Sequence, residues 1–249
     1  MKLRRNRTLR GWFGRLRPTV QRRLKIAVPY SVMGIVTLVV TYMLSDPPRW
    51  LVWLPFTALF VLLEFFAVEV NDRMFQSSSV MVAMTAGVIF AFQPNSDAMF
   101  AMALMGAVAL FTPLDFKEKR WFQPLANFGQ FVVAGAAAGF LLDVNLGRLQ
   151  NPTPDSLLRV AVASALAALA YTTVQNVLVR RAVKTVFGKD NLQPWSQMHV
   201  LFLGQFAMGL LGGLIGAAYL IADRDAVLVL IVGVYAIGHM SLYAFSQLR

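Results

Sequence analysis

The chain has 249 residues, of which 57% are hydrophobic and 14% charged, with a mean hydropathy of +0.60. A soluble domain averages about 45–50% apolar and about 25% charged residues, so the composition excludes an ordinary soluble fold and points to lipid as the main solvent. There is no cysteine, and His199 and His239 are the only histidines. Disulfides and thiolate chemistry are thereby excluded and paired-histidine zinc sites disfavoured, and the net charge of +11 sits between apolar runs rather than on a nucleic-acid-binding stripe.

The first 25 residues form a basic segment with ten of the 23 lysines and arginines and no acid. Leu9, Trp12, Phe13, Leu16, Val20 and Leu24 recur among the arginines at helical spacing, which suits a surface helix on anionic lipid. Gly11, Gly14 and Pro18 oppose that reading, and the alternative is a basic tail that only fixes topology. A cleaved secretory signal is disfavoured, because the first apolar run is long and ends in no small-residue cleavage site.

From residue 26 to 246 the chain reads as one integral membrane domain. A helix needs about 20 apolar residues to cross a hydrocarbon core of about 30 Å. The spacing predicts spans over Ile26 to Leu44, Trp50 to Val70, Ser77 to Phe92, Ala98 to Phe111, Pro124 to Leu142, Ser156 to Val179, Met198 to Ile221 and Ala226 to Phe245. The breaks carry turn chemistry, as in Ser45-Asp46-Pro47-Pro48 and Gln93-Pro94-Asn95-Ser96-Asp97. The expected fold class is therefore an all-α bundle of about eight transmembrane helices with both termini in the cytoplasm. This orientation puts 19 basic residues inside and four (Arg49, Arg148, Arg159, Arg224) outside, as the positive-inside rule requires. The fourth span is short, roughly 21 Å. The third and fourth are thus either two short tilted spans, which we favour, or a re-entrant hairpin.

Small residues are concentrated where helices must approach closely. Gly209 with Gly213 and Gly212 with Gly216 each form a G-x-x-x-G in the seventh span, and Gly135 and Gly139 flank three alanines in the fifth. All six are expected at helix–helix contacts. Polar side chains inside spans are costly and mark candidate sites. Glu64, Asn127, Gln130, Gln175, Asn176 and His199 all fall in the cytoplasmic half. Thr57, Glu64 and Asn71 recur at steps of seven, which predicts one polar stripe on the second span. The set is either a structural cluster of mutually bonded groups or a polar chamber open to the cytoplasm. No nucleophile motif, H-E-x-x-H or phosphate loop occurs, so no catalytic residue, metal site or cofactor is expected.

The stretch from Leu63 to about Leu220 resembles the multi-helix membrane region at the amino end of bacterial HD-GYP and GGDEF signalling proteins. The residues that carry it are Glu64, Ser77-Ser78-Ser79, the Pro94 turn, Arg120-Trp121-Phe122 followed by Asn127 and Gln130, Ala170-Tyr171 before Asn176-Val177-Leu178-Val179, and Trp195 before the glycine-rich span. The resemblance implies a sensory module in the bacterial cytoplasmic membrane that signals to a cytoplasmic partner or output domain. Such a domain would follow Arg249, and no cyclic di-GMP chemistry falls on these residues. A membrane sensory or regulatory module is the first expectation. The others are a small-solute or lipid-binding transporter subunit, and a structural subunit of a membrane complex. The expected partners are the bilayer and either a signalling protein or a second copy of the chain.

Overall fold

The computed structural model describes residues 18–65, 68–71, 74–109, 122–147, 149, 152–188, 198–222 and Tyr235. Among the described residues there are seven α-helices and one two-stranded hairpin. The helices are α1 (Pro18–Leu44), α2 (Trp50–Phe65), α3 (Ser79–Phe92), α4 (Ala98–Val108), α5 (Phe122–Leu146), α6 (Leu157–Phe187) and α7 (Met198–Ile221). Strands β1 (Val68–Asn71) and β2 (Met74–Gln76) pair antiparallel between α2 and α3.

Four helical segments are long and apolar enough to cross a membrane: Val20–Leu44, Phe122–Leu146, Leu157–Val186 and Phe202–Ile221. Their outer faces are apolar. Val28, Val32, Ile35 and Val36 on α1, Leu158, Val162 and Leu166 on α6, and Leu203 and Leu211 on α7 are all exposed. Exposed apolar surface on this scale suits lipid rather than water. In contrast, every residue of the 14-residue α3 is buried, and α3 touches α2, α4, α5, α6 and α7. A helix of about 21 Å need not match the bilayer when its neighbours, rather than lipid, surround it.

The pairwise contacts set the direction of each helix. At one end, the Trp53 indole donates to the Ala101 carbonyl (3.0 Å), and the Asp46 backbone N–H donates to the Asp97 carboxylate (2.9 Å). At that same end, Asp143 of α5 accepts from the N–H groups of Ala98 (2.9 Å) and Met99 (2.8 Å). At the other end, the Tyr30 hydroxyl donates to the Leu178 carbonyl (2.7 Å), Arg23 lies over the Phe122 ring (4.6 Å), and Ser79 bonds Glu64. Gly212 and Gly216 of α7 lie against Met81 and Thr85 of α3, so these two helices are parallel. Each described helix therefore runs opposite to the one before it. Arg22, Arg23, Lys25, Arg180, Arg181 and Lys184 gather at the second end, called the basic end below.

Several predicted boundaries move. The second span ends at Phe65, not Val70, because the β-branched Val68 and Val70 enter the hairpin. Asn71 is consequently in β1 and leaves the predicted Thr57–Glu64–Asn71 stripe. The hairpin also qualifies the all-α expectation. The third helix starts at Ser79 and the fourth stops at Val108. The sixth runs on to Phe187, since Arg180, Arg181, Ala182 and Lys184 are good helix formers and its cations suit a helix C-terminus. It ends at Gly188, whose φ of +94° few other residues adopt. The seventh has its predicted bounds. The eighth span and the first 17 residues lie outside the described residues, apart from Tyr235. That residue is buried, and its hydroxyl donates to Thr85 Oγ1 (2.7 Å).

Candidate functional site at the basic end of α3

The chain enters α3 through three serines. Ser77 Oγ donates to the Leu63 carbonyl at the end of α2 (3.0 Å) and accepts from the Ser79 backbone N–H (3.0 Å). Ser79 Oγ donates to the Glu64 carboxylate. These bonds tie the last turn of α2 to the first turn of α3 across the hairpin. Glu64 is partly buried and close enough to Tyr171 of α6 to act on it electrostatically. Tyr171 is itself fully buried, and its hydroxyl accepts from Gln175 Nε2 (3.3 Å).

Of the other predicted polar residues, Asn127 sits at the same depth. Phe60 and Phe131 meet edge to face at 6.4 Å, joining α2 to α5. One turn further toward the basic end on each helix come Glu64 and Asn127, which are therefore level. Gln130 is buried on the α5 face that also carries Ala134 and Ala138. Asn176 Nδ2 donates to the Thr172 carbonyl of its own helix (2.9 Å), so this amide turns back on α6. Among the described residues, no hydrogen bond joins Glu64 to Gln175 or Asn176. His199 opens α7, and its side chain lies outside the described residues.

Two buried polar atoms at this end have no hydrogen-bond partner, Ser78 Oγ and Gln205 Oε1. Gly209 packs on Ala168 and Ala165, and Gly213 on Ser164 and Val160. Continuing that antiparallel register by one turn sets Gln205 level with Tyr171 and Thr172. A buried polar group without a partner costs free energy, so such atoms suit a site that accepts a guest group or water. No group of three or more metal-ligating side chains occurs among the described residues.

The glycines predicted at helix contacts all lie against neighbouring helices. Gly135 and Gly139 meet the α4 backbone at Met102 and at Ala98 and Met99. Gly209 and Gly213 meet α6, and Gly212 and Gly216 meet α3. Sequence reasoning missed two features. Asp143 lies one residue beyond the predicted end of the fifth span, yet it caps α4 from a different helix. The signal was available in the apolar first turn of α4, Ala98-Met99-Phe100, which needs acceptors for its free N–H groups. Tyr235 and Thr85 form the second, with Thr85 Oγ1 in turn 2.9 Å from the Met81 and Gly212 carbonyl oxygens. No local signal pairs residues 150 positions apart.

The long apolar helices, their exposed apolar faces and the fully enclosed α3 define the class, a helical membrane protein. No protein-family profile, curated protein or solved structure shows significant similarity to the chain.

Proposed function

We propose that the chain is a membrane-embedded sensory or regulatory module, oriented with its basic end and both termini in the cytoplasm of a bacterial cell. The observation that carries this reading is the Glu64–Ser79 bond at the entry of α3. Five other described helices pack on α3, so a change of partner at Glu64 bears directly on the centre of the bundle. No group of three or more metal-ligating side chains accompanies the carboxylate among the described residues. A gain or loss of a proton, or of a small polar ligand, is the chemistry such a site supports. An eight-span topology fits the strict alternation of the described helices. It also fits Tyr235, which lies against Thr85 at the level of Gly212, nine residues before the end of α7. The resemblance to HD-GYP and GGDEF membrane regions supports a cytoplasmic output domain or signalling partner as the recipient.

The test is an in-frame enzymatic reporter, active only as a dimer, placed after Arg249 in a bacterial host. Glu64→Gln is expected to change reporter output at unchanged membrane abundance. Equal output from Glu64→Gln, Ser79→Ala and the native chain would refute the reading. A solute-binding transporter subunit is the second reading, favoured by the unpartnered Ser78 Oγ and Gln205 Oε1. It predicts solute-dependent stabilisation that Gln205→Leu abolishes, with reporter output unaffected.

A further inference from the structure

The basic end carries a second feature that the Glu64 site does not use. Helices α1 and α6 run antiparallel there and meet along a seam. Ile26 and Tyr30 pack against Leu178, Ala182 and Val186, and the Tyr30 hydroxyl bonds the Leu178 carbonyl. Helix α5 closes one side of this seam, with Gly129 against the Tyr30 backbone and Phe122 under Arg23. Among the described residues no second helix packs substantially on both α1 and α6.

Helix geometry decides which cations face the side away from α5. Residues advance about 100° each around an α-helix. On α1 the seam stripe is Ile26, Tyr30 and Met33. Lys25 lies roughly 100° from it, turned away from α5, and Arg22 lies between. On α6 the stripe is Leu178, Ala182 and Val186, and Arg181 lies roughly 100° from it. Because the helices are antiparallel, the two rotations open on the same side of the seam. Arg22, Lys25 and Arg181 are all exposed there. Neither helix contains an acidic residue to neutralise them.

Directly above the cations the surface is apolar. Val32 and Val36 follow Lys25 at helical steps along α1 and are each 54% exposed, and Val177 on α6 is 50% exposed. Three cations at the foot of an apolar groove match one kind of molecule, a phosphate headgroup joined to an acyl chain. Arginine binds phosphate oxygens through two parallel N–H donors, and lysine adds a point charge. A soluble phosphate would use the cations but not the valine ridge.

We propose that the α1–α6 groove binds one anionic phospholipid. Its phosphate sits among Arg22, Lys25 and Arg181, and an acyl chain lies along Val32 and Val36. Basic clusters between transmembrane helices recognise headgroups in this way, each cation contributing to the selectivity over zwitterionic lipid.

The test is native mass spectrometry of the full chain released from nanodiscs holding equal phosphatidylglycerol and phosphatidylcholine. The native chain should retain one phosphatidylglycerol in preference to phosphatidylcholine by about tenfold or more. The R22Q/K25Q/R181Q variant should lose that preference. R49Q/R159Q, which removes two cations at the opposite end, should keep it. R181Q alone should weaken it, which covers the case in which the triple variant fails to fold. Undiminished preference in the triple variant or in R181Q, or equal loss in R49Q/R159Q, would overturn the proposal. Displacement of the lipid by millimolar glycerol phosphate would assign the cations to a soluble phosphate and also overturn it.

Discussion

Gly87 and Gly212 offer a paired test of how this bundle is packed. Both lie in buried helix interiors, and alanine at either gains about 1 kcal/mol of helix propensity. Their surroundings differ. A Cβ on Gly87 would meet the ends of two flexible side chains, at 2.5 Å from Leu142 Cδ1 and 2.6 Å from Met102 Sδ. Methionine in particular rotates away at small cost. A Cβ on Gly212 would instead overlap the Met81 carbonyl oxygen and lie 3.2 Å from both Met81 C and Met81 Cα. Those atoms are backbone of the fully enclosed α3. Relief there requires α3 and α7 to separate, which also stretches the bond from Thr85 Oγ1 to the Gly212 carbonyl (2.9 Å). Overpacking of this kind costs about 1–3 kcal/mol, with up to about 1 kcal/mol more for the interhelical hydrogen bond. After the propensity gain, Gly212→Ala should destabilise by up to about 3 kcal/mol, while Gly87→Ala should stay within about 1 kcal/mol of the native chain. Reversible unfolding in mixed detergent micelles, followed by circular dichroism, measures both. Equal stability of the two variants would refute the distinction between yielding side chains and fixed backbone.

Asp143→Ala removes the acceptor for two N–H groups of the α4 first turn and should cost about 1–2 kcal/mol, with Asp143→Asn intermediate; a silent Asp143→Ala would show that α4 is capped otherwise. Thr85→Val and Tyr235→Phe should be coupled by about 0.5–1.5 kcal/mol in a double-mutant cycle, and strict additivity would place Tyr235 away from Thr85. Glu64→Gln should leave folded yield unchanged because an amide still accepts from Ser79 Oγ, whereas Glu64→Leu should lower it by stranding that hydroxyl; equal yields would remove Ser79 as a partner. Reporter fusions at Lys117 and after Arg249 should read cytoplasmic and those at Pro48 and Pro152 external. An external signal after Arg249 would contradict the eight-span orientation.

Lipid as the solvent, the rough position of seven helices and the grouping of polar side chains at one end were legible in the sequence. Each depends on runs of neighbouring residues, because the cost of placing a segment in hydrocarbon is close to a sum over its own side chains. The bounds of α7 follow from its long apolar run, and the basic end follows from where lysines and arginines interrupt such runs. Hydropathy could not distinguish α3, every residue of which is buried, from α1, whose outer face is exposed, since both carry long apolar runs and only adjacency separates them. Nor could it end α2 at Phe65, because Val68 and Val70 are apolar enough to continue a span and only pairing with β2 draws them into the hairpin. The partners of the polar residues were likewise decided in three dimensions. Glu64 bonds Ser79 of the next helix, Asp143 caps a helix 44 residues away, and Tyr235 reaches Thr85 across 150 residues. A helix fixes the neighbours of a side chain within one turn, while the helix that comes to lie beside it is set by how small and large residues interlock across the whole bundle.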